Sequence, residues 1–364
     1  MNIKGDFKMN RLEVLYAQDV KKITFNVRKK SLDEDKIILK GPRHSGKTYL
    51  ILDLLASRKK EEFLYIDFSD VRIDASIMQY LETFMQKYPI KLLVLENLDF
   101  AVTLPKCPQI IITTNQKDFH LKGFKEVYLY PLDFEEFIAF EKRETNIDTT
   151  FSTYANIGTF PEMLQTEKIV FVKRFQQLLA SFYENDTQLE ILKNYALKQG
   201  TLVSVFALFL VIKEKHKISK DKFYAYTQKL RNEEVIFMVE RYGRKSNQKK
   251  IYLIDFVIRG VLSFEKDFIK RFENMIFLEL YKRGHEIFYT DMLEFFLPKE
   301  QTALLSMPFV MEQLLQNKLE RTLDHFKELG VKKVQIITME LENSFIKNGI
   351  TYEIMPFWSW ALQL

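Results

Sequence analysis

The stretch Lys36-Ile-Ile-Leu-Lys-Gly-Pro-Arg-His-Ser-Gly-Lys-Thr-Tyr-Leu50 decides how the N-terminal part of the chain folds. Gly41–Thr48 satisfies G-x-x-x-x-G-K-[ST]. It follows the buried-strand pattern of Lys36–Lys40 and precedes a helical pattern over Tyr49–Ser57. Strand, loop and helix in that order are the context a phosphate-binding loop requires. The glycines let the backbone curl so that successive N–H groups point inward at phosphate oxygens, and the helix N-terminus adds a favourable field for an anion. The expected cradle is Gly41, Pro42, Arg43, His44, Ser45, Gly46, Lys47 and Thr48. Lys47 would bridge the β- and γ-phosphates of ATP, and Thr48 would ligate Mg²⁺. An accidental glycine-rich turn would need neither the strand before it nor the helix after it. His44 has no evident metal partner among only five histidines, so no metal role is expected of it.

Working outward, Phe63–Asp67, Lys91–Leu95, Gln109–Thr113 and Val127–Tyr130 read as further short apolar strands, with helical spacing over Ile77–Tyr88. Strands of this kind alternating with helices predict a parallel sheet covered on both faces. The Mg²⁺ site then needs an acidic residue at a strand end. Lys91-Leu-Leu-Val-Leu-Glu-Asn97 supplies Glu96, but Asn97 stands where a water-activating glutamate is usual. An amide cannot accept a proton at neutral pH, and losing a positioned base costs about 10²–10⁴-fold in rate. Slow or partner-activated turnover is therefore expected. Asp99 is the nearest carboxylate along the chain and substitutes only if the backbone turns there.

Beyond Phe134–Phe140 and Phe171–Tyr183, both helical in pattern, the character changes near Gln188. Helical patterns span Leu189–Lys215, and Ser219 is placed to cap a helix over Phe223–Asn232. A strand Glu234–Glu240, a polar tip Tyr242–Gln248 and a strand Lys250–Ile254 follow. Helix, helix and ribbon are the order of a winged helix-turn-helix. A third segment opens near Phe264, with a helix Ile269–Arg283, a helix Val310–Leu329, a strand Val334–Thr338 and an aromatic block Pro356–Trp360. The expected domains are 1–186, 187–262 and 263–364.

Several motifs now fall in a telling order. They are Leu129-Tyr-Pro-Leu-Asp-Phe-Glu-Glu-Phe137, Gly158-Thr-Phe-Pro-Glu162, Lys250-Ile-Tyr-Leu-Ile-Asp255, Glu273-Asn-Met-Ile-Phe-Leu-Glu-Leu280 and Ile354-Met-Pro-Phe-Trp-Ser-Trp-Ala-Leu362. Together with the P-loop they resemble prokaryotic AAA-type ATP-binding proteins with a winged helix and a C-terminal restriction-endonuclease-like domain. The likeness runs over nearly the whole chain. It implies an α/β fold: a P-loop NTPase parallel sheet with a helical lid, then a winged helix-turn-helix, then a small α/β nuclease-like domain. It implies ATP and Mg²⁺ as ligands and gives Asn115, after Gln109–Thr114, the place of a γ-phosphate-sensing or water-orienting side chain, the alternative being an ordinary strand end with a turn-favouring Asn. Glu96, Asn97 and Asn115 are thus the candidate catalytic positions, and Thr48 and Glu96 the candidate metal positions. There are departures. Thr159 replaces a second glycine. Glu294 and Glu273 could belong to a nuclease site, but Thr302–Pro308 holds no acidic-x-Lys triplet, and Ser306 stands near where one belongs. Metal-assisted DNA cleavage is not expected, and a partner-binding role for this domain is favoured.

Charge adds a second hypothesis. The chain carries +5 overall, whereas Lys213–Lys250 holds twelve Lys or Arg against five Asp or Glu, a net +7. Arg241, Arg244, Lys245, Lys249 and Lys250 line the expected wing, a plausible phosphate-contacting surface for duplex DNA. The opposing reading is a solvated or docking face. The single cysteine, Cys107, rules out an internal disulfide and fits a reducing compartment. The N-terminus lacks an apolar signal core. The longest apolar run, Leu202–Ile212 at 11 residues, is too short to span a bilayer, which takes about 20. A cytoplasmic protein without membrane contact is expected, with oligomerisation left open.

Overall fold

The computed structural model describes residues 3–18, 28–141 and 146–364, and the chain divides into two compact units, Met1–Pro131 and Leu132–Leu364. In the first unit, α1 (Ile3–Ala17) precedes β1 (Lys36–Lys40), α2 (Lys47–Ala56), β2 (Phe63–Asp67), α3 (Leu81–Lys87), β3 (Leu92–Glu96), β4 (Gln109–Thr114) and β5 (Lys125–Tyr128). The strands form one five-stranded sheet in the order β2-β3-β4-β1-β5, and every pairing is parallel.

Alternation along these strands builds two cores. On one face Ile37, Leu39, Phe63, Leu92, Val94 and Ile111 pack with Leu50, Ile51 and Leu55 of α2. On the other, Leu64, Ile66, Leu93, Leu95, Ile110 and Ile112 pack with Leu81 and Phe84 of α3 and with Leu12 and Leu15 of α1. Both faces are covered, which is why the strands read as continuous apolar runs rather than as an alternating pattern. Helix α1 was not anticipated from the sequence, although Met9, Leu12, Leu15 and Tyr16 recur at helical spacing on the face that packs in this core. The expected helix at 77–88 is a 3₁₀ segment, Ala75–Tyr80, leading into α3. Lys40, the last residue of β1, is fully buried, and its ammonium group is satisfied by Glu126 at 2.9 Å and the carbonyl of Lys117 at 3.0 Å.

The second unit begins with α4 (Phe134–Phe140), α5 (Ile147–Ile157), α6 (Phe171–Leu179) and α7 (Asp186–Leu197). Next come β6 (Leu202–Ser204), α8 (Val205–Lys215), α9 (Lys220–Asn232), β7 (Ile236–Arg241) and β8 (Gln248–Leu253). Ser219 caps α9 by accepting from the Lys222 amide. The remainder is α10 (Ile258–Leu262), α11 (Phe268–Lys282), β9 (Phe288–Tyr289), β10 (Phe295–Leu297), β11 (Thr302–Ser306), α12 (Glu312–Glu328), β12 (Lys333–Thr338), β13 (Asn343–Lys347), β14 (Ile350–Pro356) and α13 (Phe357–Gln363). Its strands form a single nine-stranded sheet, β13-β14-β12-β11-β10-β9-β7-β8-β6. The β7–β8 ribbon joins the C-terminal strands through a short parallel pairing of β7 with β9. Helices α4 and α6 share their apolar core with α7, α11 and α13, so they lie with the second unit rather than with the first sheet.

The motif residues of this unit fold onto one another. Asp255 is buried and accepts from the amide of Thr159 at 2.5 Å, the Thr159 hydroxyl at 2.9 Å and the amide of Val257 at 2.9 Å. Burial raises its pKa above the ordinary carboxylate range, and those donors partly offset the rise. Asn274 exchanges two hydrogen bonds with the backbone of Leu253, both 2.9 Å, as a sheet neighbour would. Glu279 accepts from the Phe134 amide at 3.0 Å and the Tyr154 hydroxyl at 3.1 Å. Thr159 and Asp255, far apart in sequence, meet because Gly158 lies flat against the carboxylate. A Cβ there would sit 2.4 Å from both oxygens, on a backbone with φ +87°. Gly158→Ala should therefore destabilise the protein by at least about 1–3 kcal/mol through strain at this contact, seen as a lower denaturation midpoint in urea with an unchanged slope.

Candidate nucleotide site

A parallel sheet ends its strands on one edge, and that edge gathers the candidate residues of the first unit. The P-loop leaves β1 and enters α2 with Gly46, in a left-handed conformation, as its N-cap. Gly41 passes so close to the strand end after β5 that a Cβ would lie 2.1 Å from the carbonyl oxygen of Leu129. Only glycine fits there. His44 also adopts a left-handed backbone, with φ 63°. Ser45 is wholly buried, and its hydroxyl finds no hydrogen-bond partner among the described residues. A buried hydroxyl of this kind costs stability unless something accepts or donates to it.

Lys47 is buried, and its ammonium group donates to the carbonyls of Gly41 and Pro42 and to Oδ1 of Asn115, each at 2.8 Å. Thr48 donates its hydroxyl to Oε1 of Glu96, and Tyr65 donates to Oε2. Glu96 is 1% exposed. Burial raises its pKa above the usual carboxylate range; the two hydroxyl donors and Lys47 pull it back, while the charge of nearby Asp67 pushes it further up. Burial and the adjacent Glu96 likewise raise Tyr65, which stays a protonated donor. The residues expected from sequence at the ends of β1, β3 and β4 are thus in contact: Lys47 with Asn115, and Thr48 with Glu96.

Asn97 turns the chain out of β3 with φ 56°. Its amide nitrogen donates to the Thr113 hydroxyl at 3.0 Å, and its side chain donates to Asp67 at 2.8 Å. The turn carries Asp99 to an exposed position. Two residues of the site carried no signal in the sequence. Tyr65 is visible only once β2 is paired with β3. Arg28, 7% exposed, donates to the carbonyls of Ser45 and Tyr130, each at 2.6 Å. Holding the Ser45 carbonyl outward turns the next amide of the loop inward, which is the orientation an anion needs.

The residues present fit a magnesium-bound nucleoside triphosphate. They offer a cradle that a single methyl group would block, a buried lysine, an orphaned serine hydroxyl, and a threonine hydroxyl beside a buried carboxylate. Among the described residues, no group of three or more His, Cys, Asp or Glu is arranged to hold a metal on its own.

The expected DNA-facing residues are placed differently. Lys250 is 8% exposed and pairs with Glu273 at 2.7 Å, so the expectation that it meets phosphate is corrected. Its position in the middle of a paired strand buries it. Arg241 pairs with Asp291, and Lys249 with Glu240. Arg244 and Lys245 remain exposed at the tip. Glu273 also accepts from Tyr252 at 2.7 Å, so its carboxylate is committed within the core. Glu294 pairs with Lys318 of α12 at 2.9 Å, whereas Ser306 shares the strand face of Leu304, which packs on the α11 side. Of the residues weighed for a nuclease site, Glu273 and Glu294 are thus each paired with a lysine.

Residues 33–107, from the start of β1 through β3, match a family described as an AAA domain. The all-parallel sheet fits a P-loop NTPase, and together these support an AAA-type P-loop domain in this part of the chain. An uncharacterised protein of Methanocaldococcus jannaschii is 23% identical, with 97% of this chain and 94% of that one aligned. An uncharacterised protein of Haemophilus influenzae is 21% identical over 69% of this chain and 75% of its own length. A solved structure, the Walker-type ATPase of Pyrococcus abyssi, aligns with 71% of this chain and 95% of its own at 14% identity, with a TM-score of 0.40, a likeness too loose to carry an argument. Among the described residues, no helix is long and apolar enough to cross a membrane.

Arg28→Ala should leave two carbonyls without their donor and destabilise the protein by about 1–3 kcal/mol. Arg28→Lys should recover only part of this, since an ammonium cannot reproduce the guanidinium fork; equilibrium unfolding of the three proteins checks it.

Proposed function

We propose that the chain binds Mg-ATP at Gly41–Thr48 and works as an AAA-type nucleotide-dependent switch with ATPase activity. The observation that carries this is the convergence of Lys47 with Asn115 and of Thr48 with Glu96 at one edge of the sheet. In this reading Lys47 exchanges its loop carbonyls for the β- and γ-phosphates, and the loop N–H groups from Arg43 to Thr48 hold phosphate oxygens. Thr48, through its hydroxyl, and Glu96 would hold Mg²⁺, which would supply charge neutralisation at the phosphates. Asn115 releases Lys47 and reports the terminal phosphate. A cytoplasmic setting accords with the single cysteine.

A second reading concerns the other unit. The order β6, α8, α9, β7, β8 accords with a winged helix, and the strands and helices after it with a nuclease-like fold that has lost its metal residues. Contact with duplex DNA then falls to the exposed face of α9, which carries Lys220, Lys222, Gln228 and Arg231, and to Arg244 and Lys245 at the tip. Oligomers and protein partners of the C-terminal segment belong to this same reading.

Charge-assisted bonds to phosphate contribute about 1.5–3 kcal/mol each, so Lys47→Ala should weaken Mg-ATP binding at least about tenfold. Calorimetric titration checks this, and equal affinities of the two proteins would contradict it. If the second reading holds, duplex affinity falls with salt at a log–log slope of about −0.9 per phosphate neutralised, and changing Arg244 and Lys245 to alanine flattens that slope by about two such steps. Salt-titrated fluorescence anisotropy reads it, and an unchanged slope removes the tip from the interface.

A further inference from the structure

The nucleotide reading leaves open which group activates water, since Asn97 has no proton-accepting atom. The neighbouring strand offers one. Asp67 ends β2 and is the register partner of Glu96 at the end of β3. Phe63 and Tyr65 face the side of the sheet covered by α2, as do Leu92 and Val94. By the same alternation Asp67 and Glu96 share that face, which is the one carrying the P-loop helix. The bond from Tyr65 to Glu96 fixes this geometry two residues before Asp67.

The Asp67 carboxylate is also held in place. Asn97 donates its side-chain N–H to Oδ1 at 2.8 Å, the Ser69 amide donates to the same oxygen at 2.9 Å, and the Ser69 hydroxyl donates to Oδ2 at 2.8 Å. The Asn97 side chain points at Asp67 because the left-handed turn after β3 aims it across to β2. The acid thus stands one strand over from Asn97, and the amide at the end of β3 orients it. Asp99 has no such tie, lying beyond the turn and exposed.

We propose that Asp67 is the carboxylate that accepts the proton from the attacking water in ATP hydrolysis, with Asn97 holding it in place. In that step the water oxygen forms a bond to the γ-phosphorus. The bond from that phosphorus to the β–γ bridging oxygen breaks, and ADP leaves with the electron pair. The water proton passes to Asp67 and from there to solvent. No oxidant or further co-reactant is needed. The inference rests on the nucleotide reading, and its test separates the two.

The experiment compares the full-length wild type with Asp67→Asn, Lys47→Ala and the exchange variant Asp67→Asn/Asn97→Asp. Mg-ATP affinity is measured by calorimetry, phosphate release under saturating ATP, and thermal melting without nucleotide. The expected result is a loss of turnover of about 10²–10⁴-fold in Asp67→Asn, with affinity and melting unchanged and with part of the turnover restored by the exchange. The inference is overturned if Asp67→Asn keeps wild-type turnover. It is also overturned if that variant loses Mg-ATP affinity along with turnover, which would make Asp67 a metal or phosphate ligand. A wild type that binds ATP yet releases phosphate no faster than Lys47→Ala overturns it as well. A wild type that binds no ATP refutes the nucleotide reading itself, and the inference with it.

Discussion

The hydrogen bond from Thr48 to the buried carboxylate of Glu96 is the contact on which the first unit is organised. It joins the first turn of α2 to the end of β3, although β4 lies between β3 and β1 in the sheet. A carboxylate 1% exposed needs donors to remain there, and it has two hydroxyls, one from the P-loop helix and one from β2. The helix, and therefore the loop that precedes it, is consequently set at a fixed height over the strand ends. Arg28 completes the arrangement from the other side by holding the Ser45 and Tyr130 carbonyls. The loop is thus pre-shaped before any ligand arrives, so little ordering is charged against binding.

The second unit is held by a different device. The residues that give it its recurring motifs are chiefly mutual anchors. Asp255 ties the turn at Thr159 to the end of the ribbon, Asn274 satisfies the backbone of Leu253, Glu273 neutralises Lys250, and Glu279 caps the start of α4. Each is a buried polar group with its partners in place, the condition under which such groups rigidify a core rather than weaken it. This also explains why Glu273 and Lys250, which look in the sequence like catalytic or DNA-binding residues, are used up inside the protein.

Much of the first unit was legible because its signals are local. The strand β1 spans the residues the pattern marks, Lys47 and Thr48 open α2 directly after the loop, and Glu96 ends β3. The loop pattern constrains backbone and side chain at once, and four buried strands leave apolar runs that few other structures produce. What was not legible depends on pairing. Nothing in Phe63-Leu-Tyr-Ile-Asp67 marks Tyr65 and Asp67 as neighbours of Glu96 until the register of β2 on β3 is known. Arg28 precedes β1 without any motif. Helix α1 buries Met9, Leu12, Leu15 and Tyr16, an apolar face of about two turns that is too short to announce a helix by period alone. In the second unit the charge run 213–250 overstated the free positive surface, because a count over that run cannot see Asp291 and Glu273 folding back on Arg241 and Lys250.

Everything proposed for the first unit depends on the backbone of residues 41–48 being a cradle for the phosphates of Mg-ATP. Amide hydrogen exchange of the full chain, followed by mass spectrometry with and without Mg-ATP, addresses it most directly, because it reads those N–H groups themselves. Nucleotide should slow exchange across 41–48 and at the strand ends near Glu96 and Asn115, and this protection should disappear in Lys47→Ala. Unchanged exchange across 41–48 at saturating Mg-ATP, or protection confined to residues elsewhere in the chain, would contradict it.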